Sequence, residues 1–393
     1  MAKLDTVKIR EQLPATTSSV YLNTGTYGPL SRRASAAMAK HGAEDLEEGR
    51  LRGGIQGFLA HAEMLADLRG ALAGVLGADA GEIALTRSTT EGVNLGIWGR
   101  NWSEGDEVVT TSQEHPGILF PLALLRKRYG VKITFAGIGH GESDRTLQAF
   151  EDVLHPGVKM VALSHVLYTT GAVLPVAEIA QMAHSVGSVV LADGAQSVGA
   201  IPVDVHSLGV DYYAFSGQKW LCGPDGSGAM FVRADKIASL QPSFACFTTV
   251  DYRTFDAADP RTFVLRPEAS CLEPGTLHRP VVAGFAEAVA GLREEVGLDG
   301  AHADISLLSQ YCRERAAEIP GATVLSPPGQ PSGLVAVHIG DGETAPAVEY
   351  LLEAGVLIRN IEENNALRIS TGFYNTEEDV DLALGKIYEF MKR

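Results

Sequence analysis

Cysteine is scarce in this chain: four residues in 393, at positions 222, 246, 271 and 312. They form no CxxC pair and no His/Cys cluster at metal-ligand spacing, so neither a disulfide framework nor a metal site is expected. Reduced thiols and a cytoplasmic location fit this usage better. Positive charge is also short, with 32 Lys and Arg against 48 Asp and Glu, a net charge of −16. Nucleic acid and anionic membrane both need a basic footprint, so neither is expected as a partner. No apolar run reaches the roughly 18 residues of a membrane span. The opening MAKLDTVKIREQL carries charges but no apolar core of a signal peptide. Internal repeats and low-complexity tracts are absent as well.

What remains is ordinary globular material, 45% hydrophobic and 20% charged. The length suits two or three domains with a large core. Short apolar, β-branched runs predict strands at 107–111, 132–135, 159–163, 188–192, 212–215 and 229–232. Helical stretches are predicted between them at 117–129, 147–153 and 176–186. This alternation implies an α/β fold with a mainly parallel sheet, whose ligands bind beyond the carboxyl ends of its strands. From about residue 284 the pattern changes to a smaller α+β unit. Its predicted helices lie at 281–295 and 304–319, and its strands at 322–325, 334–338, 356–359 and 366–370. A last helix is predicted over 377–391, capped at Asn375–Thr376. The expected division is a large domain, 16–283, and a small one, 284–393, with residues 1–15 folded against the small one. The stretch 244–274 reads as a long functional loop.

Five candidate site features lie where that architecture expects them. After YYAF comes SGQKWLCGPDGSG, with Lys219 in a glycine-rich turn. A desolvated lysine loses pKa and becomes a nucleophilic amine that can form an imine; a surface lysine on a βα loop would look the same. Asp193 ends the apolar strand VVLAD, an expensive place for a carboxylate without a cationic partner such as a protonated ring nitrogen; a helix N-cap is the plainer alternative. Ser88, Thr89 and Thr90 form a hydroxyl cluster at a helix start, suited to phosphate, and Ser88-x-x-Glu91 also reads as a capping box. His115, after EVVTT, could lie flat on an aromatic ligand or serve as a structural hydrogen bonder. Arg368, inside the apolar strand ALRIS, must pair with a carboxylate or face solvent.

In this order, TRSTTE, EHPG, ADGAQS, SGQKWLCGPDGSG and LRISTGFYNT resemble the class V aminotransferase family of fold type I pyridoxal-phosphate (PLP) enzymes. The resemblance runs from about Tyr21 to the C-terminus. It implies a mainly parallel, seven-stranded-type sheet with helices on both faces and PLP held on Lys219. By the same resemblance Asp193 pairs with the pyridine nitrogen, Gln196 with the phenolic oxygen, and His115 stacks on the ring. Ser88, Thr89, Thr90 and Ser216 would hold the phosphate. A homodimer with active sites at the subunit interface is implied, with Thr276 of PGT reaching across. Arg368 would bind the carboxylate of a small amino-acid substrate, and Asn23 would lie near it.

Two departures from the family pattern stand out. Gln218 precedes the lysine where the family often has histidine, and SHVLYTTG lacks the usual asparagine near the ring, for which Thr169 could substitute. Cysteine desulfurases of the family carry a cysteine shortly before the carboxylate-binding arginine, but GVLIRNIEENNALR (355–368) has none. A persulfide-forming desulfurase is therefore not expected, and the phrases EHPGI, SHVLYTTGAVLP, DGAQSVGAIPVD and DYYAFSGQKW resemble most the C–S lyase and isopenicillin N epimerase-like branch. The implied chemistry passes through an α-carbanion, with β-elimination from a cysteine- or cystine-type substrate as the expected fate. Epimerisation, transamination, or a non-catalytic protein binding a phosphate compound are the alternatives.

Overall fold

A computed structural model describes residues 4–50, 54–259, 261–329, 332–340 and 343–393. Its centre is a seven-stranded sheet in the spatial order Ile83–Thr86, Gly228–Val232, Tyr212–Ser216, Val189–Asp193, Val158–Ser164, Glu107–Thr111, Lys132–Ala136. The last five strands in that order are mutually parallel; Gly228–Val232 runs antiparallel to both of its neighbours. The predicted strands are found within one or two residues of their expected ends, and Ile83–Thr86 is an additional one.

The five inner strands are buried at nearly every position because helices cover both faces. Alternate residues of each strand therefore feed two separate apolar cores. Val190, Ala192, Tyr213 and Phe215 join one; Leu191, Tyr212 and Ala214 join the other. Val176–Ser185 shows how a helix is cut to fit, burying Val176, Ile179, Ala180 and Ala183 at i, i+3, i+4 and i+7.

A second, antiparallel sheet is ordered Arg359–Ile361, Ala366–Ser370, Leu334–His338, Thr323–Val324. Leu308, Cys312, Val335, Val337, Leu367, Ile369 and the buried side of Glu377–Met391 form its core. Thr376 caps that last helix in a capping box with Asp379. The N-terminal segment joins this layer: Val20–Tyr21 pairs with Val356–Leu357, and Arg10 donates to the Tyr374 carbonyl and pairs with Asp379. Arg279–Gly291 packs on Arg32–Glu47 and Ile55–Leu76, two long helices that the strand-and-helix alternation did not predict. Among the described residues of 241–268 there is only one short 3₁₀ turn, Tyr252–Thr254, and one isolated bridge. Among the described residues no helix is long and apolar enough to cross a membrane, and no cluster of His, Cys, Asp and Glu side chains could hold a metal ion.

Candidate active site

The carboxyl ends of Ile83–Thr86, Glu107–Thr111, Val158–Ser164, Val189–Asp193 and Tyr212–Ser216 meet at one edge of the large sheet. There they open into a cavity of about 210 Å³. Ser88, Thr89, Thr90, His115, Asp193, Gln196, Ser216, Gln218, Lys219 and Arg368 all line it. Ten of the thirteen predicted site residues, spread over 280 positions from Ser88 to Arg368, thus converge on one small volume.

Each is held for a definable reason. Ser88 caps Thr89–Trp98, its hydroxyl accepting from Glu91 N–H, so the capping and anion-binding readings hold together at one helix start. Thr89 N–H donates to Ser216 Oγ (2.9 Å), and the two hydroxyls are paired, which ties the cup to the strand leading to Lys219. His115 caps the next helix, its Nδ1 accepting from Gly117 N–H at 3.0 Å. Burial and the nearby Lys219, Arg359 and Arg368 push its imidazole down to about 4, so it is neutral across the physiological range. Behind it Glu114 is fully buried and accepts from the Thr111 hydroxyl and from Ser164.

Asp193 and Lys219 face one another electrostatically. Asp193 is 5% exposed, and among the described residues its carboxylate accepts one hydrogen bond, from Ala195 N–H at 2.8 Å. Burial raises its pKa, and the charge of Lys219 pulls the other way. Desolvation lowers the Lys219 amine to about 8, against the opposing pull of Asp193. No hydrogen bond or ion pair with a described residue engages its Nζ. The Lys219 turn is crowded on one side: a Cβ at Gly28 would lie 2.0 Å from the Lys219 carbonyl oxygen, so only glycine fits there.

Arg368 is 1% exposed. Its Nη1 donates to the Tyr168 carbonyl (3.2 Å) and its Nη2 to Thr26 Oγ1 (2.9 Å), while its Nε has no partner among the described residues. Burial and the neighbouring Arg359 push it down to about 9. A buried, incompletely satisfied guanidinium without a carboxylate partner is a receptor for one.

Three of the predicted residues lie outside the cavity lining. Thr169, expected in place of the missing asparagine, is not among the lining residues; its hydroxyl donates to Gln113 Oε1 at 2.8 Å. Asn23 stands one layer back: its Oδ1 accepts from the Thr26 hydroxyl (2.7 Å), and Thr26 in turn braces Arg368. Thr276 lies outside the cavity, on a separate cleft beside Arg69, Glu273 and Arg279. Residues that the motifs did not reveal also line the cavity, notably Thr26, Ser164, Tyr168 and Arg359. Arg359 sits opposite Arg368 in the antiparallel register, a pairing visible only once the strands are aligned.

The donor set fits PLP. An under-partnered buried carboxylate awaits a cation, an uncommitted amine stands near it, and hydroxyls gather at a helix N-terminus. Comparison with known proteins agrees. A match to the family Aminotransferase class-V spans residues 57–383. The chain belongs to that family. It is 31% identical to a cysteine desulfurase of Haloferax volcanii over 333 residues, 80% of this chain and 76% of that protein. It is 33% identical to a probable cysteine desulfurase of Halalkalibacterium halodurans over 331 residues, 79% and 78% of the two chains. Among solved structures, the cystine C–S lyase C-DES in complex with its product cysteine persulfide superposes with a TM-score of 0.88 at 27% identity. The match covers 96% of this chain and 99% of that one. A variant of C-DES carries glycine covalently linked to PLP. The fold is that of the fold type I PLP enzymes.

Proposed function

We propose that this protein is a PLP-dependent enzyme that cleaves the C–S bond of a cysteine- or cystine-type amino acid by β-elimination. The observation that carries the proposal is the single cavity in which the uncommitted Lys219 amine, the under-partnered Asp193 carboxylate and the Arg368 guanidinium converge. PLP, when bound, supplies an electron sink for a negative charge developing at the substrate α-carbon.

The chain's own residues would do the rest. Lys219 would hold the cofactor and, once released, take the α-proton with its depressed-pKa amine. Asp193, as a buried carboxylate facing the ring nitrogen, would keep that nitrogen protonated. Ser88, Thr89, Thr90 and Ser216 would grip the phosphate, and neutral His115 would cover the ring. Arg368 would fix the α-carboxylate, and Arg359 would add a second positive charge that suits an anionic substrate. The four cysteines lie outside the cavity lining, and none falls between residues 355 and 368. A reaction in which a protein thiol in the cavity accepts the sulfur is thus unsupported, and sulfur would leave with the product. The similarity to C-DES, named a cystine C–S lyase, points the same way.

The active unit would be a homodimer. Phe58, Phe244, Phe247, Phe255, Phe263 and Val264 are exposed on the start of Ile55–Leu76 and on the long loop, an apolar surface that suits subunit contact. Thr276 on the adjoining cleft would complete the neighbour's phosphate cup.

Incubating the PLP-loaded protein with L-cystine and L-cysteine and measuring pyruvate tests the reaction. Pyruvate from either supports it. A keto acid formed only with an amino acceptor, or an inverted α-carbon, would replace it with transamination or epimerisation. Loss of the PLP visible band in Lys219→Ala tests the cofactor anchor; a band that persists refutes it.

A further inference from the structure

Gln196 is held by two hydrogen bonds that leave its amide no freedom to turn over. The Trp220 indole Nε1–H donates to Gln196 Oε1 at 2.9 Å. Gln196 Nε2 donates to the Gly25 carbonyl at 2.8 Å. An indole N–H can only donate and a backbone carbonyl can only accept, so the two partners together dictate which end of the amide is which. One amide N–H is left over, on a residue that lines the cavity.

Trp220 is itself immobilised. It is 1% exposed and follows Lys219 directly in the chain. The edge of its six-membered ring lies so close to Gly333 that a Cβ there would sit 2.3 Å from Cη2 and 2.5 Å from Cζ3. Gly333 leads into the strand Leu334–His338 of the second sheet, and its carbonyl accepts from Thr371 N–H at 2.8 Å. The indole thus spans from the second sheet to a residue of the large-sheet cavity.

We propose that Trp220 is a positioning residue. Its N–H orients the Gln196 amide so that the remaining amide N–H is presented to the phenolic oxygen of PLP, and its ring ties that orientation to the second sheet. The proposal rests on the reading that PLP occupies the cavity with Gln196 toward that oxygen. A hydrogen bond to the oxygen favours its anionic form, and so lowers the pH midpoint at which the cofactor's visible absorption changes. Without the Trp220 N–H the amide turns or drifts and the bond weakens.

The test is a pH titration of the visible band of the PLP-loaded protein in four forms: wild type, Trp220→Phe, Gln196→Ala and the double variant. A neutral hydrogen bond is worth a shift of roughly 0.5 to 1 pH unit. Gln196→Ala is expected to raise the midpoint by about that much, and Trp220→Phe by a sizeable part of it. In the Gln196→Ala background the Trp220→Phe shift is expected to vanish, because the two groups act through one bond. A midpoint unmoved by Trp220→Phe, while Gln196→Ala moves it, overturns the proposal and leaves the Gln196 reading intact. A Trp220→Phe shift that persists in full without Gln196 also overturns it, as a general packing effect. If Gln196→Ala moves nothing, the underlying reading of Gln196 fails and the proposal with it. Should Trp220→Phe not fold, β-(3-benzothienyl)alanine at position 220 keeps the bicyclic ring, lacks the N–H, and gives the same readout.

Discussion

Arg368→Met separates a receptor arginine from a structural one, because the two make opposite demands on stability. In the wild type the guanidinium is buried beside a second cation, Arg359, and among the described residues it is braced only by the neutral Thr26 hydroxyl and Tyr168 carbonyl. Removing an uncompensated buried charge relieves a penalty of several kcal/mol. Orphaning the Tyr168 carbonyl costs about 1–3 kcal/mol in return, and Met fills most of the volume. The opposed effects leave the cofactor-free protein within about 2 kcal/mol of wild type, a change of a few degrees in Tm. Ligand binding has no such compensation. Truncating one side of a buried, hydrogen-bonded charge pair costs about 2–4 kcal/mol, a loss of roughly 30- to 1,000-fold in affinity. The assay is paired: thermal unfolding of the cofactor-free protein, and glycine titration of the PLP-loaded protein followed by its visible band. Arg368→Lys keeps the charge but not the fork, and is expected to fall between the two. Glycine affinity within threefold of wild type in Arg368→Met would refute the carboxylate assignment. A large fall in Tm with little change in affinity would mark the arginine as structural.

Asp193→Asn keeps the shape and removes the charge; pyruvate formation is expected to drop roughly 100-fold or more while PLP still binds, as followed by steady-state turnover and cofactor titration. Capture of PLP by the cofactor-free protein needs a neutral Lys219 amine. With that amine near 8, its neutral fraction grows as pH rises, from roughly a tenth at pH 7 to nearly all above pH 9. The capture rate is therefore expected to climb about tenfold over that range and then level; a rate still rising toward pH 10.5 would mean that burial does not depress the amine. Gly333→Ala would drive a methyl group into Trp220 and should cost about 1–3 kcal/mol, seen as a lower Tm. Unchanged stability would show that the indole can move aside.

Much of this architecture is written locally. The strand Glu107–Thr111 has its predicted ends because β-branched and apolar residues give way abruptly to polar turn formers, and Glu377–Met391 starts where Thr376 and Asp379 make a capping box. Lys219, Asp193, His115 and the Ser88–Thr90 cluster were legible for a related reason: each follows a recognisable strand, and parallel sheets bind at that end. Thr26, Arg359 and the Gln196–Trp220–Gly333 chain left no such mark. Their roles come from contacts between segments 24 to 342 residues apart, and no periodicity encodes those.

The amino-acid order by itself determined the alternating strands and helices of the large sheet, the strand ends that carry polar groups, the family, and which side chains bring an amine, a carboxylate and hydroxyls. Tertiary structure alone decided which of these share a cavity and which stand behind it. It turned Thr169 toward Gln113, set Asn23 one layer back as the brace of Thr26, and set Arg359 across from Arg368. The physical reason is that ionisation and hydrogen bonding depend on burial and on what lies within about 3 Å, and both are settled only when distant strands close on one another.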